Sequence, residues 1–406
     1  MFEKCNELKE LRKELQMDLD GYASWMSLSL PSSELESEVE TPATAPMLLS
    51  DVRMYRFLQG NGYDVSAAAT AFRKMLEWRK SNNIEKDLVS HFNLYEMELK
   101  QSNLPNAKEI NLASGSNGPW YDAGRTHDGH VVHIEVIGSG DPSAMIETVS
   151  EQKIIQHHMA LLELRANVFD RLSVEQGKVI KSLQIRDLSL FGLHLVRHSG
   201  AMSLLGKIMK FGSNNYPESA QKAFFINTPP SFYVVWKVIQ TFIRKETLEK
   251  TVFLDKSYHR ELLKYVPVRI IHNMEYLTYT TAETHHDAVD TSRPANFVRE
   301  ISASAGSQAE LFVYMTREKR NKVHIKFTEC DPLPKAVILT SSPGEVNEQE
   351  ISLGAVVDPN STGFSHQITL SYPEGCHADE CLLSLFVDNT ESWIQSKVVK
   401  FHVKFL

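Results

Sequence analysis

This sequence predicts an α/β fold on a mostly parallel sheet, preceded by a small helical region and followed by an all-β sandwich. Three observations predict it. Between residues 129 and 254, apolar runs of strand length alternate with helical runs, the order that places helical crossovers between parallel strands. From about residue 284 the helical periodicity is lost, and short strand-like runs recur between Pro, Gly, Asn and Asp, the rhythm of an antiparallel sandwich. Residues 48–100 carry helical patterning alone. At 406 residues the chain is too long for one ordinary core, so two or three domains are expected.

Taken in order, residues 5–19 put Leu8, Leu11, Leu15 and Leu19 on one helical face, a docking helix for the first domain. Residues 32–45, rich in Ser, Glu, Thr and Pro, read as a linker, so 1–46 form an amphipathic segment and its tether. In the helical region, Arg53, Arg56, Phe72, Leu76 and Trp78 supply mixed faces. A strand is expected over 129–137, a long helix over 147–172, a second strand over 179–188 and a largely helical run over 191–211. Ala223-Phe224-Phe225-Ile226-Asn227 is a third strand, and Thr228-Pro229-Pro230 offers a cap and prolines that pre-set a helix start. In the helix that follows, Phe232, Val235, Trp236, Ile239, Phe242 and Ile243 form one stripe, with Lys237, Gln240 and Arg244 off it. Plain core packing and a pocket wall are both open to such a stripe. The C-terminal strands are expected at 297–298, 310–314, 322–327, 335–339, 366–372, 381–387 and 397–405, seven to eight in all.

Composition narrows function. With 42% apolar and 23% charged residues the chain is ordinary globular protein, and a net charge of −8 argues against a general nucleic-acid binder. Cys5, Cys330, Cys376 and Cys381 are too few and scattered for a disulfide framework, which favours a reducing, cytoplasmic setting. The most apolar long window, 231–243, falls short of the roughly 20 residues that cross a bilayer, and residues 1–30 lack a secretory apolar core. His127, His130 and His133, like the pairs His157-His158 and His285-His286, lack the carboxylate or thiol partners expected of zinc, so no metal is expected. No phosphate loop, nucleophile elbow or other catalytic spacing occurs, so no catalytic residue is assigned. The strand over 181–187 is unusual: Ser182, Gln184 and Arg186 share one face, and a polar face on a central strand demands partners.

Tyr216-Pro217-Glu218, then Phe224-Phe225-Ile226-Asn227-Thr228-Pro229, then Phe232 and Trp236 in a helix, then Thr247 and Lys250 before Thr251-Val252-Phe253-Leu254, resemble the signature of the CRAL-TRIO lipid-binding family. Met54-Tyr55-Arg56-Phe57-Leu58, Tyr63-Asp64-Val65 and Glu77-Trp78-Arg79-Lys80 extend the resemblance upstream. It implies a CRAL-TRIO domain over 47–275, its helical region at 47–110, with one lipid enclosed behind a helical gate. In fungal phosphatidylinositol transfer proteins the positions matching Ser182 and Gln184 carry hydroxyls that hold a phospholipid headgroup, of which Ser182 keeps one and Gln184 does not, and those matching Glu218, Thr247 and Lys250 belong to an inositol-phosphate site. By that likeness the lipid-binding residues are Ser182, Gln184, Glu218, Phe225, Phe232, Trp236, Ile239, Thr247 and Lys250. Two departures stand out: Gln59-Gly60-Asn61-Gly62 lacks the basic residues those relatives place there, and Val266-Pro267-Val268-Arg269-Ile270-Ile271 replaces a terminal Gly pair.

Residues 382–393, with their Asp388-Asn389-Thr390 turn, and the closing run 397–403 resemble the end of a GOLD domain, which places such a domain over 276–406. Together the two resemble the supernatant protein factor and tocopherol-associated protein family. The resemblance implies a cytoplasmic, peripherally membrane-associated lipid-transfer protein. Its expected partners are a phospholipid or tocopherol, a transient membrane surface and a protein met through the GOLD domain; no cofactor is expected beyond the bound lipid. The alternative is a lipid-responsive interaction scaffold or signalling regulator without bulk transfer, suited by the acidic residues of 34–40.

Overall fold

The structure, a computed structural model, describes residues 5–29, 47–116, 118–196, 199–243, 245–255, 258–274, 296–303, 308–316, 322–327, 335–342, 344–351, 356–357, 366–371, 380–388 and 397–405. The linker at 32–45, Arg244, His285-His286, Cys330, Cys376 and the turn from Asn389 onward lie outside them. The chain divides into two units, Met1–Lys256 and Ser257–Leu406.

The first unit opens with α1 (Asn6–Ser29), α2 (Asp51–Gly60) and α3 (Val65–Ser81). Leu8, Leu11, Leu15, Leu19 and Tyr22 of α1 pack with Phe57, Leu58, Phe72, Met75 and Leu76 of the other two. Ser50 and Asp64 cap α2 and α3 by accepting from Arg53 N and Ala67 N. A short α4 (Ala107–Ser114) leads into the sheet.

The sheet is β1 (Val131–Val136), β2 (Ser182–Asp187), β3 (Ala220–Ile226) and β4 (Thr251–Phe253), parallel and in sequence order. Its crossovers are α5 (Pro142–Thr148) with α6 (Glu151–Gln176), then α7 (Ser199–Asn215), then α8 (Phe232–Ile239) with α9 (Lys245–Leu248). The single helix expected over 147–172 is two, because Val149 is extended and the Ser150 hydroxyl caps a new start by accepting from Lys153 N. The stripe helix also ends early, at Ile239. Thr241 Oγ1 donates to Val238 O at 2.7 Å, and Gln240–Phe242 tighten into a 3₁₀ turn.

Three arginines tie the helical region to α6. Arg53 and Arg56, one turn apart on α2, reach the two oxygens of Asp170, each at 2.7 Å. Arg79 meets Glu163 at 2.5 and 2.8 Å and Glu85 at 2.7 Å, with Tyr22 OH donating to Glu85 at 2.7 Å. All six ionic side chains are buried, and three cations offset three carboxylates. Sequence patterning read Arg53 and Arg56 only as parts of mixed helix faces; the fold buries them because their partners arrive from a helix more than 100 residues away.

The second unit begins with α10 (His259–Leu263) and a further helical turn at 268–274. Among the described residues nine strands follow: β5 (Asn296–Ala303), β6 (Gln308–Thr316), β7 (Lys322–Phe327), β8 (Lys335–Ser342), β9 (Glu345–Ile351), β10 (Val356–Val357), β11 (His366–Ser371), β12 (Glu380–Asp388) and β13 (Lys397–Phe405). They form two antiparallel sheets, β10-β11-β7-β13-β5 and β6-β12-β8-β9. The sequence reading missed β9 and β10. Glu345, Asn347, Glu348, Gln349 and Glu350 of β9 are exposed at a sheet edge, where charge protects the edge and hides the strand's period. In β12, by contrast, Cys381 through Leu385 are all buried. His259 stacks on Phe312 and His272 on Tyr314, which share a face with Leu382 and Ser384, so the helices cover one side of this sheet.

Candidate functional site

Strand register builds the site row by row. Glu135, Arg186, Phe225 and Phe253 are cross-strand neighbours on one face, and His133, Gln184, Ala223 and Thr251 form the next row. The opposite face is all apolar at its centre, with Ile134, Ile185 and Phe224 fully buried. One side of the sheet is therefore an ordinary core and the other is mixed, oily at β3 and β4 and ionic at β1 and β2.

The oily half is an aromatic cluster roofed by α8. Phe225 stacks on Phe253 at 5.3 Å between centroids, and Trp236 meets both rings at 5.4 and 5.1 Å. Phe232 packs on Phe225 at 5.4 Å and on Phe191 at 5.1 Å. Ile239 is half-buried at the helix end, and Phe242 lies over Gly206 of α7, where an added Cβ would stand 3.2 Å from its ring. The outward side of α8 is largely apolar too, with Lys237 its charged member: Tyr233 is 48%, Val234 68% and Val238 49% exposed. The predicted stripe, with polar positions off it, missed this second face; the signal was the unbroken run from Phe232 to Trp236.

In the ionic half, Arg186 lies with its guanidinium 5.5 Å from the Phe225 ring centre, donates to Gln184 Oε1 at 3.1 Å and faces Glu135 at 3.7 Å. Gln184 donates to the Ser182 hydroxyl at 3.3 Å, and that hydroxyl donates to Ser219 O at 3.2 Å. Ser182 and Gln184 are thus adjacent but bonded to the protein's own groups. Glu135 and Arg186 keep 32% and 33% of their side-chain surface accessible. Yet desolvation is the largest influence on Glu135, overcome by His133 and Arg186, which hold its carboxyl at about 2. From α6, His158, Leu162 and Arg165 lie on one helical face, and His158 and Arg165 feel the charges of Glu135 and Arg186 respectively.

A second polar group sits at the start of β2 and β3. Glu218, with φ of 53°, accepts from Lys250 Nζ at 3.0 Å on each oxygen and from Lys181. Burial opposes its ionisation, but the two lysines hold the carboxyl below its ordinary range. Arg56 Nη1 donates to Glu218 O at 3.0 Å, fixing this backbone. Thr247 lies three residues before Lys250, whose N–H donates to Thr247 O at 3.2 Å. Glu218, Thr247 and Lys250 therefore come together, joined by Lys181, which sequence reasoning passed over. Its charge opens an otherwise alternating strand, a signal that was legible.

The first unit is thus an α/β unit with a parallel sheet, one face of mixed character and a largely apolar helix over its aromatic half. Residues 116–274 match the CRAL/TRIO domain family, so the chain carries a CRAL/TRIO domain. Over 219 residues it is 26% identical to the SEC14 cytosolic factor of Eremothecium gossypii, covering 54% of this chain and 66% of that protein. Over 218 residues it is 23% identical to the phosphatidylinositol/phosphatidylcholine transfer protein SFH9 of Arabidopsis thaliana, covering 52% of this chain and 34% of that one. The chain thus spans just under two thirds of the first relative and about a third of the second. A crystal structure of Sfh5 matches 64% of this chain and 84% of its own at 14% identity, with a TM-score of 0.41, a likeness too slight to carry argument. Among the described residues no helix is long and apolar enough to cross a membrane.

Proposed function

We propose that the chain holds one lipid in the hollow beneath α8 and exchanges it at membrane surfaces, with no covalent change. The observation that carries this is the helix apolar on both faces: its inner side closes on Phe225 and Phe253, and its outer side offers Tyr233, Val234 and Val238. Moving a lipid through water costs about 0.8 kcal/mol for each methylene wetted, so a carrier must touch the bilayer with an apolar surface before the lipid leaves. A helix apolar on its inner side and over most of its outer side, interrupted by Lys237, meets both demands. The named activity of the SFH9 relative, transfer of phosphatidylinositol and phosphatidylcholine, makes a phospholipid the first candidate cargo, with tocopherol behind it. Ser182 and Gln184 border the cargo inside, and Glu218, Thr247, Lys181 and Lys250 serve its headgroup at the rim. Residence is cytoplasmic and contact with the membrane peripheral, while the C-terminal β unit acts as a GOLD-type protein-binding module.

The test is native mass spectrometry with lipid extraction on the purified protein, followed by transfer of the recovered lipid between labelled vesicles. A defined lipid that moves, and that a folded Trp236→Asp protein neither retains nor moves, supports the reading. A folded protein that retains no lipid, or holds one it never exchanges, would instead indicate an interaction scaffold.

A further inference from the structure

Charge is unevenly spread along the chain. Between residues 188 and 245 the sequence carries seven basic residues and one acidic, Glu218, although the net charge of the whole chain is −8. Glu218 is already taken by Lys181 and Lys250. Exposed large apolar side chains gather in the same segment, among them Val234, Val238 and Phe242. These three follow one another at four-residue spacing along α8 and the turn after it, an outward row about 12 Å long. Phe242 reaches α7 at Gly206, and Lys210 stands one turn further along α7 on that side. Lys237 lies beside the row on α8, one turn after Tyr233. Lys210 and Lys237 are exposed, and among the described residues neither side chain forms an ion pair or a hydrogen bond. The other lysines nearby differ. Lys207 is held by Glu151 at 2.6 Å, Lys222 lies over the Phe224 ring on the opposite face of the sheet, and Lys245 comes with Glu246 and Glu249.

We propose that this face docks on an anionic phospholipid bilayer, the row Val234, Val238 and Phe242 entering the interface while Lys210 and Lys237 meet its negative headgroups. An apolar row by itself has no preference among membranes. Cations beside it supply one, because a lysine stem lies along apolar surface while its ammonium stays at headgroup level. Each lysine near an anionic leaflet raises affinity about fivefold, so the pair supplies about twentyfold or more, and a zwitterionic surface returns none of this. A bilayer suits the face better than an acidic protein does: the row offers no side-chain hydrogen-bonding group for a protein surface to match, and the bilayer interior requires none. The inference rests on the carrier reading and adds to it the class of membrane that the carrier visits.

The experiment measures flotation of the purified full chain with two kinds of vesicle, phosphatidylcholine alone and phosphatidylcholine partly replaced by phosphatidylserine. Wild type is expected to bind the phosphatidylserine vesicles about tenfold or more tightly, the equivalent of about 1.4 kcal/mol. The preference should vanish at about 1 M salt, where charges are screened within about 3 Å. Lys210→Gln/Lys237→Gln is expected to bind both kinds of vesicle alike, with its melting temperature and co-purified lipid unchanged. Lys9→Gln/Lys13→Gln removes the same charge from exposed positions of α1, which packs on α2 and α3, and should keep the preference. Equal binding by wild type, a preference that persists in high salt or survives Lys210→Gln/Lys237→Gln, or one that the α1 variant loses as well, overturns this inference. Lipid transfer measured in parallel tests the carrier reading separately. Transfer without a preference for anionic vesicles leaves that reading standing, and no transfer with either kind of vesicle overturns both.

Discussion

Arg79 is the most consequential single residue of the first unit. Fully buried, it answers two carboxylates, Glu85 and Glu163, that have no access to solvent. Arg79→Met should therefore cost about 3–5 kcal/mol, measured by denaturant unfolding, because two buried charges lose their cation. Adding Glu85→Gln and Glu163→Gln should recover much of that loss. The groups between α6 and the sheet make a separate, pH-dependent contribution. His158 falls from 6.5 to about 4 on folding, mainly through desolvation. A base with a depressed folded pKa favours the native state fully above pH 6.5 and loses that advantage as pH falls to about 4. At about 1.4 kcal/mol for each unit the ceiling is about 3 kcal/mol, reduced by solvent screening because His158 is only half-buried. Glu135, held at about 2, loses stability in the same direction at lower pH. A His158→Gln protein should show a flatter stability profile between pH 6.5 and 4 than wild type, and an unchanged slope would contradict this origin.

At the scale of elements, α8 is held at one end by the aromatic cluster and at the other by Phe242 resting on Gly206. A leucine at Gly206 meets that ring at the distance where a neighbour must move. Gly206→Leu should thus loosen the roof and speed lipid release several-fold in a vesicle assay, with the melting temperature little changed; slower release would mean that Phe242 is no latch. Much of this architecture was legible in the sequence. Periodicity found the strands of both units with clear apolar alternation, and the order of Pro229, Pro230 and the Phe232 stripe located the roof. What escaped had physical reasons. The strand Glu345–Ile351 is a polar edge, and the α5–α6 break depends on one Ser150 cap. The Arg165–Glu135–Arg186 grouping depends on packing a helix against a sheet, which no local pattern encodes. Charged Glu135 and Arg186 in strands of an inner sheet were the available hint.

The molecule as a whole comprises two separately cored units whose boundary, by packing, lies at Lys256 and Ser257, while the family match continues to residue 274. The stretch with α10 and the turn at 268–274 covers the β6-β12-β8-β9 sheet over Leu339, Leu382 and Ser384. A fragment of residues 296–406 should accordingly aggregate, and one of 257–406 should stay monomeric in size-exclusion chromatography; equal behaviour would mean the helices do not complete that core. For the first unit, the central claim is that α8 is a two-faced gate for a lipid. The most direct measurement is vesicle-to-vesicle transfer by Val234→Asp/Val238→Asp, which alters only the exposed outer face. Each valine placed in the bilayer is worth about 1.5–3 kcal/mol, so transfer should fall by more than about tenfold while the amount of co-purified lipid stays at the wild-type level. Transfer at the wild-type rate by this variant would contradict the gate.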